Sequence, residues 1–106
     1  MALPHAQAGE KVHLKSLNST RAKTAALVKT DRFEAARLVL AAGAIIQRHA
    51  VQGHVILFCI EGSVVLDANR QTELESGDWI YLDRGEEHGL RATSDSSLLL
   101  TVLFDD

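Results

Sequence analysis

Three histidines in the second half of the chain, His49, His54 and His88, are the side chains best suited to chemistry. A neutral imidazole offers one lone pair to a metal ion or a proton, and its charge changes near neutral pH. Burial disfavours the charged form and keeps the ring able to ligate or act as a base. His49 and His54 are five residues apart, an offset that puts them on opposite faces of one continuous strand. Gln52-Gly53 between them has the composition of a turn or bulge, which can re-aim a side chain. His54 is therefore either a partner for His49 or a partly exposed turn histidine. Glu86 and Glu87 precede His88 directly and offer a hydrogen-bond partner or a general base, although acidic loops are ordinarily just solvated. Cys59 is the only cysteine, which excludes an intrachain disulfide and a zinc site of clustered thiolates. No cation lies near it in sequence to activate its thiolate. His5 and His13 stand apart and receive no site role.

These groups must be positioned by short, glycine-punctuated elements. Residues 1–10 are small and polar, with the only proline at Pro4, and read as a flexible tail. Lys11 to Lys15 alternates polar with apolar residues, the mark of a half-buried strand. Thr24 to Lys29 is a short, largely apolar run. Phe33 to Ala42 is ambiguous. Its alanines, leucines, glutamate and arginine favour a helix locally, but Arg37 to Leu40 leads through Gly43 into the strand-like Ile45-Ile46. A strand is the better assignment, because every later segment is short. Val55 to Ile60 is a continuous β-prone run, as for a strand covered on both faces. Glu61-Gly62 turns into Ser63 to Asp67, and Ala68 to Gln71 forms a hairpin tip in which Asn69 tolerates the left-handed region. Gln71 to Glu75, Trp79 to Leu82, His88 to Ala92 and Leu98 to Phe104 complete the series. Ser76-Gly77-Asp78, Asp83 to Glu87 and Asp95 to Ser97 separate them. Short strands with frequent turns predict an all-β sandwich or barrel.

Composition narrows the function classes. The 106 residues fit one domain. No apolar run is long enough to predict a membrane span, and the N-terminus lacks the apolar stretch of a signal peptide. A reducing cytoplasm is the expected compartment, with export after removal of a signal as the alternative. The formal net charge of -3 argues against nucleic acid as a partner. Up to Gly53 there are eight Lys/Arg and three Asp/Glu; from His54 onward there are three and eleven. Such asymmetry can aid self-association through complementary faces, unless an antiparallel barrel interleaves the two halves.

The spacing of glycines and histidines from Gly43 to His88 resembles the cupin family. Its first motif runs glycine, five residues, His-x-His, three or four residues, glutamate, six residues, glycine. Here Gly43, His49 and Gly62 keep that frame. The second runs glycine, five residues, proline, one residue, glycine, two residues, histidine. Gly77, Gly85 and His88 keep it, with Asp83 in place of proline. The resemblance implies a jelly-roll barrel, a double-stranded β-helix, over residues 11–106.

In cupins three histidines and a glutamate project inward and hold iron, manganese, nickel, copper or zinc, because a metal needs donors converging from neighbouring strands. Carried across position by position, the first and last histidines are His49 and His88. The second falls at Val51 and the glutamate at Val55, so half the ligand set is aliphatic. The resemblance thus implies either one divalent metal held by His49 and His88, with His54 as the candidate third ligand, or none. Two buried histidines bonded to each other, to water or to an anion are the competing arrangement. Gln47 shares strand parity with His49 and Val51 and is expected to line the cavity or an exposed edge. Val51, Val55, Leu57, Cys59, Tyr81 and Leu90 are the other expected pocket-lining residues, with packing as the ordinary role of Cys59 and Tyr81.

Two functions follow. One is a binding or sensing module whose aliphatic barrel holds a small organic ligand, a metal, or both. The other is a metal-dependent enzyme of dioxygenase, isomerase or decarboxylase type. The two valines favour binding, and fold alone does not decide. The resemblance also implies a homodimer formed through strands within residues 11–29.

Overall fold

The computed structural model describes residues 6–14 and 24–104. Among them there is no helix. Nine strands are β1 (Ala25–Lys29), β2 (Phe33–Leu40), β3 (Ile45–His49), β4 (Gly53–Glu61), β5 (Ser63–Asp67), β6 (Gln71–Glu75), β7 (Trp79–Leu82), β8 (His88–Ala92) and β9 (Ser96–Phe104). They form a five-stranded sheet in the order β1-β2-β9-β4-β7 and a four-stranded sheet in the order β3-β8-β5-β6. Every pairing is antiparallel.

The ambiguous segment is a strand because β9 supplies a partner along its whole length. Phe33 to Leu40 pairs residue for residue with Leu103 to Ser96. An unbroken ladder and a buried inner face outweigh a few tenths of a kcal/mol per residue of helix preference. The strand ends at Leu40, two residues short of the expected boundary.

β4 lies between β9 and β7, and its burial alternates strictly, with Val55, Leu57 and Cys59 inward and His54, Ile56 and Phe58 outward. The core between the sheets is built from Val55, Leu57 and Cys59, from Val64, Leu66 and Leu74, and from Leu82, Leu90, Ala92, Leu98 and Val102. Each contributes the inward half of an alternating pattern, the usual way two facing sheets share one apolar layer.

Two expectations are corrected. Lys11 to Leu14 carries no regular secondary structure, and Lys15 lies outside the described residues. Alternation specifies a strand only where a ladder partner exists, and the described tie from this region to the sheet is one bond, from Ala6 N–H to the Leu27 carbonyl at 2.7 Å. The last turn ends earlier than expected, since Ser96 and Ser97 are buried within β9. Ser96 tolerates burial because its hydroxyl donates to the carbonyl of Ser63 or Ser94, at 3.0 and 2.8 Å, and accepts from the Ser63 N–H.

Candidate functional site

His49 ends β3 and His88 begins β8, and the two are direct cross-strand partners. Their ring centroids are 4.6 Å apart with the planes inclined at 52°. His88 is buried, whereas His49, on an edge strand, is exposed. A register shift between Ile46 and His49 produces this pairing. In a regular strand, residues three apart face opposite ways; the extra residue of a bulge returns His49 to the face of Ile46.

Both rings are tethered in the same way. His49 Nδ1 lies 2.9 Å from the Gln47 carbonyl, and His88 Nδ1 lies 3.0 Å from the Glu86 carbonyl. A carbonyl only accepts, so each Nδ1 carries the proton, and in the neutral ring each Nε2 is then a bare lone pair. The tautomer is assigned from these acceptors. Neither Nε2 has a proton to give the other, which excludes a neutral His–His hydrogen bond.

The two imidazoles stand at a pocket of about 160 Å³ whose other walls are Leu38, Ile46, Leu57, Leu90 and Leu100. Of the residues predicted from sequence to line the cavity, Leu57 and Leu90 do so beside the two histidines. Val55 is fully buried in the core layer, and Val51 packs partly buried against it. Cys59 is wholly enclosed near the turn after β4, its thiol directed at the carbonyls of Glu61 and Gly62. Burial, reinforced by the carboxylates of Asp78 and Glu75, pushes that thiol above its ordinary value.

Three further candidate side chains lie outside this pocket. His54 does not converge with His49 and His88. It begins the outward half of the β4 alternation, and its Nδ1 lies 2.7 Å from the Tyr81 hydroxyl. Tyr81 is likewise outward, stacked on His54 at 5.6 Å between ring centroids, with its hydroxyl 3.3 Å from Asp83 Oδ1. Loss of hydration, with the Asp83 carboxylate beside it, raises the Tyr81 phenol above its ordinary value. Gln47 is separated from His49 by the bulge and lines a different feature, an open groove on the outer face of the four-stranded sheet with Arg48, Asp67 and Arg91. Leu38, Ile46 and Leu100 were missed. Inward parity on β2 and β9 was a readable signal for the two leucines, but no signal in sequence locates the β3 bulge that turns Ile46 inward.

The carboxylates beside His88 serve the loop. Glu86 accepts from the Asp83 N–H through Oε1 and from the Asn69 N–H through Oε2, and only its backbone carbonyl reaches His88. Glu87 lies 3.8 Å from Arg48, which also bonds Asp67 at 3.1 Å. Among the described residues no group of three His, Cys, Asp or Glu side chains is placed to hold a metal ion. The donor set that remains, two imidazoles and no carboxylate, does not fit a tightly held resident ion.

The fold has close counterparts. A conserved protein of unknown function from Streptococcus pyogenes superposes with a TM-score of 0.78 at 19% identity, covering 100% of this chain and 99% of its own. A cupin superfamily protein from Desulfitobacterium hafniense superposes at 0.75 and 17% identity, covering 89% and 100%. The DMSP lyase DddQ from Ruegeria pomeroyi superposes at 0.70 and 19% identity, over 78% of this chain and 48% of that one. At these identities the likeness is one of fold. No curated protein matches by sequence. The family model described as the cupin domain matches residues 36–104, from β2 through the end of β9. With β3 to β9, most of β2, both histidine positions and the inter-sheet core inside that match, the chain belongs to the cupin family.

Proposed function

We propose that this cupin binds a small organic ligand in the pocket between its sheets, with His49 and His88 as the polar contacts. One observation carries the reading: an apolar pocket of about 160 Å³ has its polar groups gathered at a single pair of tethered imidazoles. Mostly apolar walls with a few convergent polar groups are the ordinary make-up of a small-molecule site. The missing carboxylate and the outward His54 count against a resident metal, so binding precedes catalysis in this reading.

Metal-dependent catalysis is the second reading, supported by the two exposed Nε2 lone pairs and by a fold neighbour that is a lyase. Bound-metal analysis of the purified protein, with His49→Ala and His88→Ala beside it, separates the two. The first reading expects metal well below one equivalent and ligand binding that survives chelation. One equivalent of iron, manganese, nickel, copper or zinc, lost in both variants, would sink the first and show the metal site that the second requires.

The reading includes a homodimer, with its interface moved from the expected segment 11–29, where Lys11 to Leu14 forms no strand, to the outer face of the five-stranded sheet. Trp79, Tyr81 and Leu103 present large apolar side chains on the outer face of the five-stranded sheet, at 61%, 46% and 41% exposure, and exposed apolar patches commonly mark association surfaces. Light scattering with Trp79→Lys tests it: a wild-type dimer and a monomeric variant are expected. A reducing, cytoplasmic setting belongs to the same reading, supported by the single buried thiol. No helix among the described residues is long and apolar enough to cross a membrane.

A further inference from the structure

We infer that the ligand of this pocket is a phenol-sized hydroxyl compound that donates its O–H directly to the imidazole pair, without a bridging metal. The inference rests on the binding reading above and names the chemistry of its ligand. It follows from three features.

The first is the protonation pattern. Both Nδ1 atoms are committed to backbone carbonyls, at 2.9 and 3.0 Å, so the pair faces the pocket as two acceptors. Two acceptors side by side cannot satisfy each other. Solvent can serve them in the open pocket, since His49 is exposed and neither Nε2 is a buried orphan; a ligand that excludes solvent must bring a donor of its own, which a hydroxyl does and a carboxylate or a bare hydrocarbon does not. The tethers also fix ring orientation in advance, so little freedom is lost on binding.

The second is size. The volume of about 160 Å³ is close to the ~150 Å³ at which an apolar cavity admits benzene. A six-membered ring carrying one or two hydroxyls fits within it.

The third is the walls. Leu38, Ile46, Leu57, Leu90 and Leu100 offer no polar side chain to a ligand. A polar group held against these walls finds no side-chain partner there, at a cost of up to roughly 1–3 kcal/mol where solvent is excluded. A hydroxyl is therefore best placed at the histidine end.

Calorimetry and side-chain nitrogen NMR at pH 8, on chelator-treated wild-type protein, provide the test. The probes are phenol, toluene and benzoate. Phenol is expected to bind about three- to tenfold more tightly than toluene, the worth of one hydrogen bond, and to shift the Nε2 resonances of both histidines. Benzoate is expected to bind more weakly than either. His49→Ala removes one of the two acceptors and should reduce the preference for phenol over toluene, and the double variant His49→Ala/His88→Ala should erase it. Toluene binding as well as phenol, with unmoved Nε2 signals, would overturn the inference and leave the binding reading standing. Phenol binding only after zinc is added, or benzoate preferred, would also overturn it. If none of the three probes enters, both the inference and the binding reading fall.

Discussion

Gly89 on β8 and Ile46 on β3 leave no room for a side chain between them. A Cβ at Gly89 would stand 2.8 Å from the Ile46 carbonyl oxygen, 3.2 Å from the Arg48 backbone nitrogen and 3.3 Å from Arg48 Cγ. The bulged stretch that turns His49 toward His88 is pressed against the residue next to His88. Gly89→Ala should therefore push β3 away at the site itself, at about 1–3 kcal/mol for overpacking. The expected result is a lower denaturation midpoint together with loss of the inter-ring NOE between His49 and His88. A variant that keeps that NOE would show that the bulge does not depend on this close approach.

Two other glycines separate backbone conformation from space. Gly62 and Gly77 both have positive φ, +89° and +94°, but a Cβ at Gly62 would meet the Asp95 carbonyl oxygen at 2.3 Å, while Gly77 faces nothing within 4 Å. Gly77→Ala is expected to cost about 1–2 kcal/mol for the left-handed backbone alone. Gly62→Ala adds a clash with backbone that cannot swing away, and should cost at least ~1 kcal/mol more or abolish folding. Equal losses in urea titrations would contradict this ordering.

His54 serves as the control histidine. It lies on the outer face with Tyr81 and Asp83, so His54→Ala should leave probe binding in the inter-sheet pocket within about 0.5 kcal/mol of wild type. Loss of binding in that variant comparable to His49→Ala would place His54 in the site after all.

Alkaline pH should destabilise the fold partly through Cys59. Burial, then Asp78 and Glu75, raises its folded value above the ordinary 9.0, so above that pH the unfolded thiol releases its proton while the folded one keeps it. The unfolded state then binds fewer protons, and stability falls as pH rises. Tyr81 is raised in the same direction, so the informative quantity is the slope difference between wild type and Cys59→Ala. Urea midpoints across about pH 8 to 10.5 should fall less steeply in the variant, and the native thiol should resist disulfide reagents. Parallel slopes would mean that the folded thiol is not held protonated.

Most of the β architecture was legible because strand alternation is local. Val55, Leu57 and Cys59 read as one face from sequence, and they are one face in the core. The frame of Gly62, Gly77, Gly85 and His88 pointed to the fold for a related reason: positive φ at those three glycines is a requirement of the single residue. Lys11 to Leu14 shows the limit, since its alternation found no strand to pair with.

Residue order alone is therefore enough to read most of the short strands, the family frame and the single cysteine. Tertiary structure alone decided which groups share the pocket. Gln47 left it and Ile46 entered it through one bulge, which arises between two strands rather than within either; His54 stayed outward because β4 begins at Gly53 and keeps its register against β9 as far as Cys59. A one-residue change of register reverses every side chain beyond it. The make-up of a site on paired strands is thus settled only when the pairing is.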